Sequence, residues 1–307
     1  MTQMIPTTFL ESAYDWDGDG IDIWNSYPDA FASTANYLTS IDQNPWLKDS
    51  TWGREVIPPK NILLIEPNDT KRQNLSKATS CDSQAEFNEN VRNYDLIILA
   101  VKPQGATPAM ELLAQWLLPH QLVISVMAGI SLQTMHGALG QSKLVRVMPN
   151  IPTLIAEGMS VFFASENVDS DGIKWVKTLF SSSGTCLEAK NEDAIDAATA
   201  ISGSGPGYLF YFAEQMTESA KSLGFTEEEA QLLVQKTILG ATLLWESQQV
   251  SPETLRKQVS SPGGTTLAAL NHFQSENVGE SIKEGIQHAY LRSKAVSYTH
   301  LTLPTIL

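Results

Sequence analysis

Three strings in this sequence combine residue types able to bind and position a small charged substrate. The first is Ala100-Val101-Lys102-Pro103, which ends an apolar run. In an open α/β sheet, ligands lie beyond the carboxyl ends of the strands, although Lys102 equally suits the solvated turn of an ordinary strand-to-helix connection. The second is Arg146-Val147-Met148-Pro149-Asn150. A proline directly after a strand fixes the turn, and Asn150 offers both a donor and an acceptor there. The third is Ser260-Ser261-Pro262-Gly263-Gly264-Thr265-Thr266, followed by Leu-Ala-Ala-Leu. Two glycines ahead of a helix let successive N–H groups converge, and the helix dipole adds positive character. Such a turn holds a carboxylate without a basic side chain, while a hydroxyl of Thr265 or Thr266 donates to a neighbouring atom. The plainer reading of the same string is an N-cap with a flexible lead-in. A fourth string, residues 202–207 (SGSGPG), resembles a phosphate loop but follows no strand, so it reads as close helix packing at a domain junction.

These strings need elements to carry them. Residues 61–66 (NILLIE), 95–101 (DLIILAV), 122–127 (LVISVM) and 144–148 are short apolar runs separated by helical stretches. That alternation predicts a parallel sheet covered on both faces, which residues 158–164 and 185–188 extend. Past about residue 190 the strands stop. Residues 208–223 carry apolar side chains at helical spacing, and Thr226 with Glu229 forms a capping box behind the staple residue Phe225. The helix that follows is apolar around much of its circumference, as in a bundle or a dimer interface, and Ser251-Pro252 starts another.

Composition narrows the partners. The formal charge of -14 excludes nucleic acid and anionic membranes as expected partners, since both require a cationic surface. Cys81 and Cys186 supply neither a disulfide framework nor metal-ligand spacing. No metal is expected in the site, and with no membrane-length apolar run the expected location is the cytoplasm.

Residues 1–59 differ from the rest, holding Trp16, Trp24, Trp46 and Trp52 of the seven tryptophans. Asp15, Asp17 and Asp19 before Gly20 open like a calcium loop, but Ser26 stands where an EF-hand needs glutamate. The string from Gln3 to Leu38, followed by WGREV, resembles the late catalytic domain of membrane-bound lytic transglycosylases. In that family the resemblance gives Asp29 the closing carboxylate of a calcium site. The catalytic glutamate lies upstream in that family, so this segment is expected to be inert as a hydrolase.

AVKPQ, VRVMPNIPTLIAEGMSV, AISGSGPGY, LGATLL and QVSSPGGTT stand in the order and spacing of pyrroline-5-carboxylate reductases, and the resemblance covers about residues 58–296. It implies a Rossmann domain followed by an all-α domain that interlocks as a homodimer, with dimers often ringed into decamers. It also implies hydride transfer from NADPH or NADH to 1-pyrroline-5-carboxylate, giving L-proline. By position, Ala100, Val101, Lys102, Pro103, Val126, Met127 and Ala128 line the cofactor, and Asn150 lies near the nicotinamide. Ser261, Gly264, Thr265 and Thr266 hold the substrate carboxylate and ring nitrogen, with Thr266 the hydrogen-bond partner of that nitrogen.

The chain departs from the family at its front. A first strand and G-x-G-x-x-[GA] turn should precede residues 61–66, yet the transglycosylase-like segment stands there. Gly18-Asp19-Gly20 follows no strand and is flanked by carboxylates. The fold expected is therefore an α/β Rossmann-like domain lacking its first βα unit (residues 60–189), then a helical domain (190–296). Residues 297–307 resemble an adapter-derived tail. A chimeric reading frame joined near residue 57 is the expected origin, with a natural fusion as the alternative. Glu66 suits the ribose diol of NAD, whereas Lys71 and Arg72 suit the 2'-phosphate of NADP. Two other functions remain open: a non-catalytic oligomeric remnant of the family, and a related β-hydroxyacid-type dehydrogenase.

Overall fold

The computed structural model describes residues 57–299, with the side chains of 297–299 left aside. The transglycosylase-like segment and its calcium-loop string lie outside the described residues. Each apolar run expected as a strand becomes one: β1 (Leu63–Ile65), β3 (Leu96–Leu99), β4 (Leu122–Ser125), β5 (Leu144–Met148), β6 (Gly158–Ala164) and β7 (Gly184–Glu188). β2 (Asp82–Gln84) is an addition that the sequence pattern did not indicate. Helices α1 (Asp69–Thr79), α2 (Ala106–Ala114), α3 (Leu132–Leu139) and α4 (Ser170–Ser181) connect the strands.

β4 shows why the sheet is covered on both faces. Its residues are all buried, and the pleat sends them to opposite sides. Val123 joins Met110 and Leu113 of α2 and Met135 and Leu139 of α3. Leu122 and Ile124 join Phe162 of β6 and Val176 of α4. The doubly wound expectation holds there.

Two features differ from a continuous parallel sheet. β5 and β6 run antiparallel, with Val145 opposite Ala164, while β6 and β7 are parallel to each other. The cause is the connection: only residues 149–157 join β5 to β6, and a parallel crossover needs a dozen or more residues. The second difference is a split. β1 pairs with β2 alone, and the other five strands form a separate sheet in the order β3-β4-β5-β6-β7. Among the described residues no strand pairs with β1 on its other side, or with β3 opposite β4.

The helical half comprises α5 (Asp193–Ala198), a π-helical turn (Thr199–Gly203), α6 (Gly205–Ser222), α7 (Glu227–Gln248), α8 (Pro252–Gln258), α9 (Thr265–Ser275) and α10 (Val278–Thr299). α6 and α7 pack on each other. They still leave Leu209, Phe210, Tyr211 and Phe212 of α6, and Leu239, Leu243, Leu244 and Trp245 of α7, exposed in the single chain. Only Ala230 and Val234 of α7 are buried. Apolar surface of that extent marks an interface. The close packing expected of residues 202–207 is realised at Gly203, where a Cβ would meet Met148 Cε at 2.9 Å. It is not realised at Gly205 or Gly207, which face open space in one chain.

The capping box of α7 forms as expected: Thr226 Oγ1 accepts from Glu229 N, and Glu229 Oε2 accepts from Thr226 N. Thr226→Ala is expected to cost about 1 kcal/mol, read by chemical denaturation at neutral pH. The N–H and hydroxyl of Thr226 hold the Glu229 carboxyl below its ordinary value. A depressed carboxylate stabilises the fold above its unfolded value and stops doing so as pH falls through the folded one. The cost of Thr226→Ala is therefore expected to shrink on acidification.

Candidate functional site

β3, β4 and β5 are mutually parallel, so their carboxyl ends lie along one edge of the sheet. That edge carries Ala100, Val101, Lys102 and Pro103 after β3, Val126, Met127 and Ala128 after β4, and Asn150 after β5. Val126 N donates to Leu99 O at 3.0 Å, tying the first two turns together. Met127 N donates to Ser125 Oγ, and Met127 is buried while Ala128 is exposed. Gly129 then takes a φ of 73°, and a Cβ there would collide with the side chain of Val296 on α10. Ala100, Val101 and Lys102 are exposed, as a ligand-facing turn requires.

Asn150 uses its amide within the chain. Its Nδ2 donates to Ser202 O at 3.0 Å, and its Oδ1 accepts from Met159 N at 2.8 Å. The side chain thus pins the end of β5 to β6 and to the π-helical turn.

The second cluster is a turn. Gly264 N donates to Ser261 O at 3.0 Å, with Pro262 and Gly263 at the centre and Gly263 at φ 73°. Proline followed by a left-handed glycine is the arrangement of a type II turn. A Cβ on Gly264 would stand 2.7 Å from Ser261 Oγ, so the turn closes tightly on itself. Gly264 is the N-cap of α9 and no side chain caps that helix. The first N–H groups of α9 are then available to an anion, beside the hydroxyls of exposed Thr265 and half-buried Thr266. Ser261, Gly264, Thr265 and Thr266 thus come together. Among the described residues no hydrogen bond joins this turn to the strand-end cluster; α9 packs on α10 instead.

A dinucleotide spanning the sheet edge would also touch the end of β1. There Glu66 Oε1 accepts from Asn68 N at 2.8 Å, and Arg72 Nη1 donates to Glu66 O at 2.8 Å. Arg72 also pairs with Asp69. Arg72 is thereby committed to holding the turn, and the exposed Lys71 is the cation left to meet a 2'-phosphate. The described residues offer the exposed Lys71 at the end of β1 and the exposed turn from Ala100 to Lys102 after β3. They do not include a glycine turn leading from a strand into a helix N-terminus, the usual pyrophosphate cradle.

Sequence reasoning missed the residues that join the two halves. Arg146 on β5 is 3% exposed and pairs with Asp196 at 2.7 Å and Glu192 at 3.2 Å. Glu192 Oε1 also accepts from Leu132 N, at the start of α3, at 2.8 Å. Ser293 of α10 donates to Asp196 Oδ1. In the sequence Arg146 stands out only as part of the Met-Pro-Asn string, and its partners, 46 and 50 residues away, lie too far along the chain for spacing to reveal them.

Comparison with known proteins gives two family matches. Residues 192–296 match the family described as pyrroline-5-carboxylate reductase dimerisation. Residues 1–116 match one described as a transglycosylase SLT domain, a span that runs past residue 59 into the β/α elements. A pyrroline-5-carboxylate reductase of Pseudomonas aeruginosa is 35% identical over 238 residues, covering 77% of this chain and 87% of the relative. Among solved structures, one from Coxiella burnetii described by the same activity shares 32% identity and a TM-score of 0.73, covering 78% of this chain and 89% of that one. A Plasmodium falciparum pyrroline carboxylate reductase with NADP bound shares 28% identity and a TM-score of 0.71, covering 79% and 90%.

Proposed function

This chain belongs to the pyrroline-5-carboxylate reductase family, and we propose that it binds 1-pyrroline-5-carboxylate at residues 261–266 and reduces it to L-proline with NADPH or NADH. The observation that carries this reading is the turn from Ser261 to Gly264 with its left-handed Gly263, opening onto the uncapped start of α9. It offers backbone N–H groups and two hydroxyls to a small carboxylate in a chain of net charge -14.

The residues divide the work as follows. The first N–H groups of α9 hold the carboxylate, and its fixed position aims the ring. The Thr266 hydroxyl would hydrogen-bond the ring nitrogen and hold it in line; the imine enters protonated, so hydride addition to its carbon sends the C=N π pair to nitrogen and leaves a neutral amine that keeps its proton. Ala100, Val101, Lys102, Pro103, Val126, Met127 and Ala128 would line the edge that holds the nicotinamide, and Asn150, bonded to Ser202 O and Met159 N, would keep that edge in place. The cofactor supplies the hydride to the imine carbon. Alignment of two reactants then lowers the barrier without a covalent nucleophile.

Among the described residues no hydrogen bond joins the strand ends to the Ser261–Gly264 turn, and α6 and α7 expose broad apolar faces. A homodimer that buries those faces is the assembly that would complete the site. The described residues contain no helix long and apolar enough to cross a membrane.

Thr266→Val tests the assignment of the nitrogen partner. Losing one hydrogen bond of about 1.5 kcal/mol is expected to lower kcat/KM about tenfold in an NADPH-oxidation assay. A second reading, a non-catalytic member of the same family, is favoured by the split between β1 and β3. No turnover by the full chain with either nucleotide, alongside intact L-proline binding, would select it.

A further inference from the structure

We infer that Val296, on α10, is a positioning residue for the turn after β4, and that it sets where Met127 and Ala128 stand at the strand edge. The inference rests on the reading above, in which Val126, Met127 and Ala128 line the cofactor.

That turn is fixed at both ends and open in the middle. At its start Val126 N donates to Leu99 O, and the buried Met127 and Ile130 sit in the core with α2 and α3. At its finish Leu132 N donates to Glu192 Oε1, and Glu192 is itself paired with Arg146. Among the described residues no hydrogen bond is made by Ala128 or Gly129, which lie between. Their support comes from the helical half. The three heavy atoms nearest to a Cβ built on Gly129 are Cγ1, Cβ and the carbonyl carbon of Val296. Gly129 has a φ of 73° and no side chain, so the turn approaches α10 closely and meets it through one valine.

The end of α10 is held in place for that contact. Ser293 Oγ donates to Asp196 Oδ1 at 3.2 Å, and Lys294 Nζ stands 3.9 Å from Asp193 Oδ2. Both carboxylates belong to α5, and Asp196 also pairs with Arg146 of β5 at 2.7 Å. One to two turns earlier the packing is looser. A cleft of about 270 Å³ lies among Ala197, Ala200 and Ile201 on one side and Ile286, Gln287 and Tyr290 of α10 on the other. The firm contact of α10 with the β4 turn is therefore at its end. Valine suits that place because a β-branched side chain is stiff at χ1 and transmits the position of the helix with little play. Ala128 adjoins Gly129 and Met127 is one residue further back, so a change at Val296 reaches the strand edge through two peptide planes.

The test uses the full chain. Val296→Ala withdraws both γ-methyl groups and is expected to speed amide exchange at Ala128 and Gly129 about tenfold, with no nucleotide present. The same variant is expected to bind NADPH and NADH about fivefold more weakly, read by nucleotide fluorescence, and L-proline with unchanged affinity. Val296→Thr, which keeps the branched shape, is expected to restore exchange and nucleotide affinity together. Gly129→Ala puts a methyl group where Val296 stands, and residues in contact do not act independently. Its effect on nucleotide affinity is therefore expected to be smaller in Val296→Ala than in the parent chain. Near-native thermal unfolding checks that each variant folds. Unchanged exchange in Val296→Ala, or effects of the two substitutions that simply multiply, would overturn the inference. So would faster exchange with unaltered nucleotide affinity, which makes Val296 a structural contact only. A parent chain that binds L-proline but neither nucleotide fails differently: it overturns the cofactor assignment of residues 126–128, and the role of Val296 with it.

Discussion

Arg146→Ala is expected to lower stability by about 3–5 kcal/mol, the largest effect of any single substitution considered, because it leaves two carboxylates facing a buried position without their cation. Arg146 sits on β5 under 3% exposure, with Asp196 at 2.7 Å and Glu192 at 3.2 Å. Glu192 also receives Leu132 N, and Asp196 receives the Ser293 hydroxyl, so one guanidinium links the sheet, α3, α5 and α10. Replacing Arg146, Glu192 and Asp196 together by apolar residues is expected to cost much less than Arg146→Ala alone, since no buried charge is then stranded. Chemical denaturation checks both. A loss below about 1 kcal/mol for Arg146→Ala, the size of an exposed ion pair, would show that the network does not hold the two halves together.

Gly263→Val is expected to weaken L-proline binding about 100-fold while leaving the thermal transition nearly unchanged. Gly263 holds φ at 73°, a region that a β-branched residue avoids. Valine there would force the turn to rearrange and move the N–H groups of α9 away from the carboxylate. Two charge-assisted hydrogen bonds at about 1.5 kcal/mol each give a loss of that order. The surroundings of Gly263 are open, with nothing within 4 Å of an added Cβ, so the effect comes from backbone conformation and not from a clash. Calorimetric titration with L-proline separates the two outcomes. Undiminished affinity in Gly263→Val would place the carboxylate elsewhere.

Much of this site was legible in the sequence because its signals are local. The Pro262-Gly263 pair and the threonines after it announce a turn and a helix start within a few residues, and the structure builds both. The strands β4 and β5 were legible because burial on both faces demands unbroken apolar runs. The strand β2 was not, since Asp82-Ser83-Gln84 is polar and pairs only because Leu63, Leu64 and Ile65 lie beside it. The reversal of β6 follows from the length of the link after β5, which periodicity does not weigh. The partners of Arg146 and the internal use of Asn150's amide are long-range facts that no window of sequence contains.

The split between β1 and β3 connects fold to activity. The family resemblance implies a strand and a glycine turn ahead of β1, and among the described residues no strand pairs with the free sides of β1 and β3. Carboxylate binding and nucleotide binding are therefore expected to respond differently in this chain. The turn at residues 261–266 belongs to the helical half, whereas among the described residues no glycine turn precedes β1.

The most direct measurement is calorimetric titration of the full chain with L-proline in the absence of nucleotide. The expected result is saturable binding at one site per chain, weakened about 100-fold in Gly263→Val. Absence of saturable binding, or binding that Gly263→Val leaves intact, would contradict the assignment of residues 261–266 as the carboxylate site.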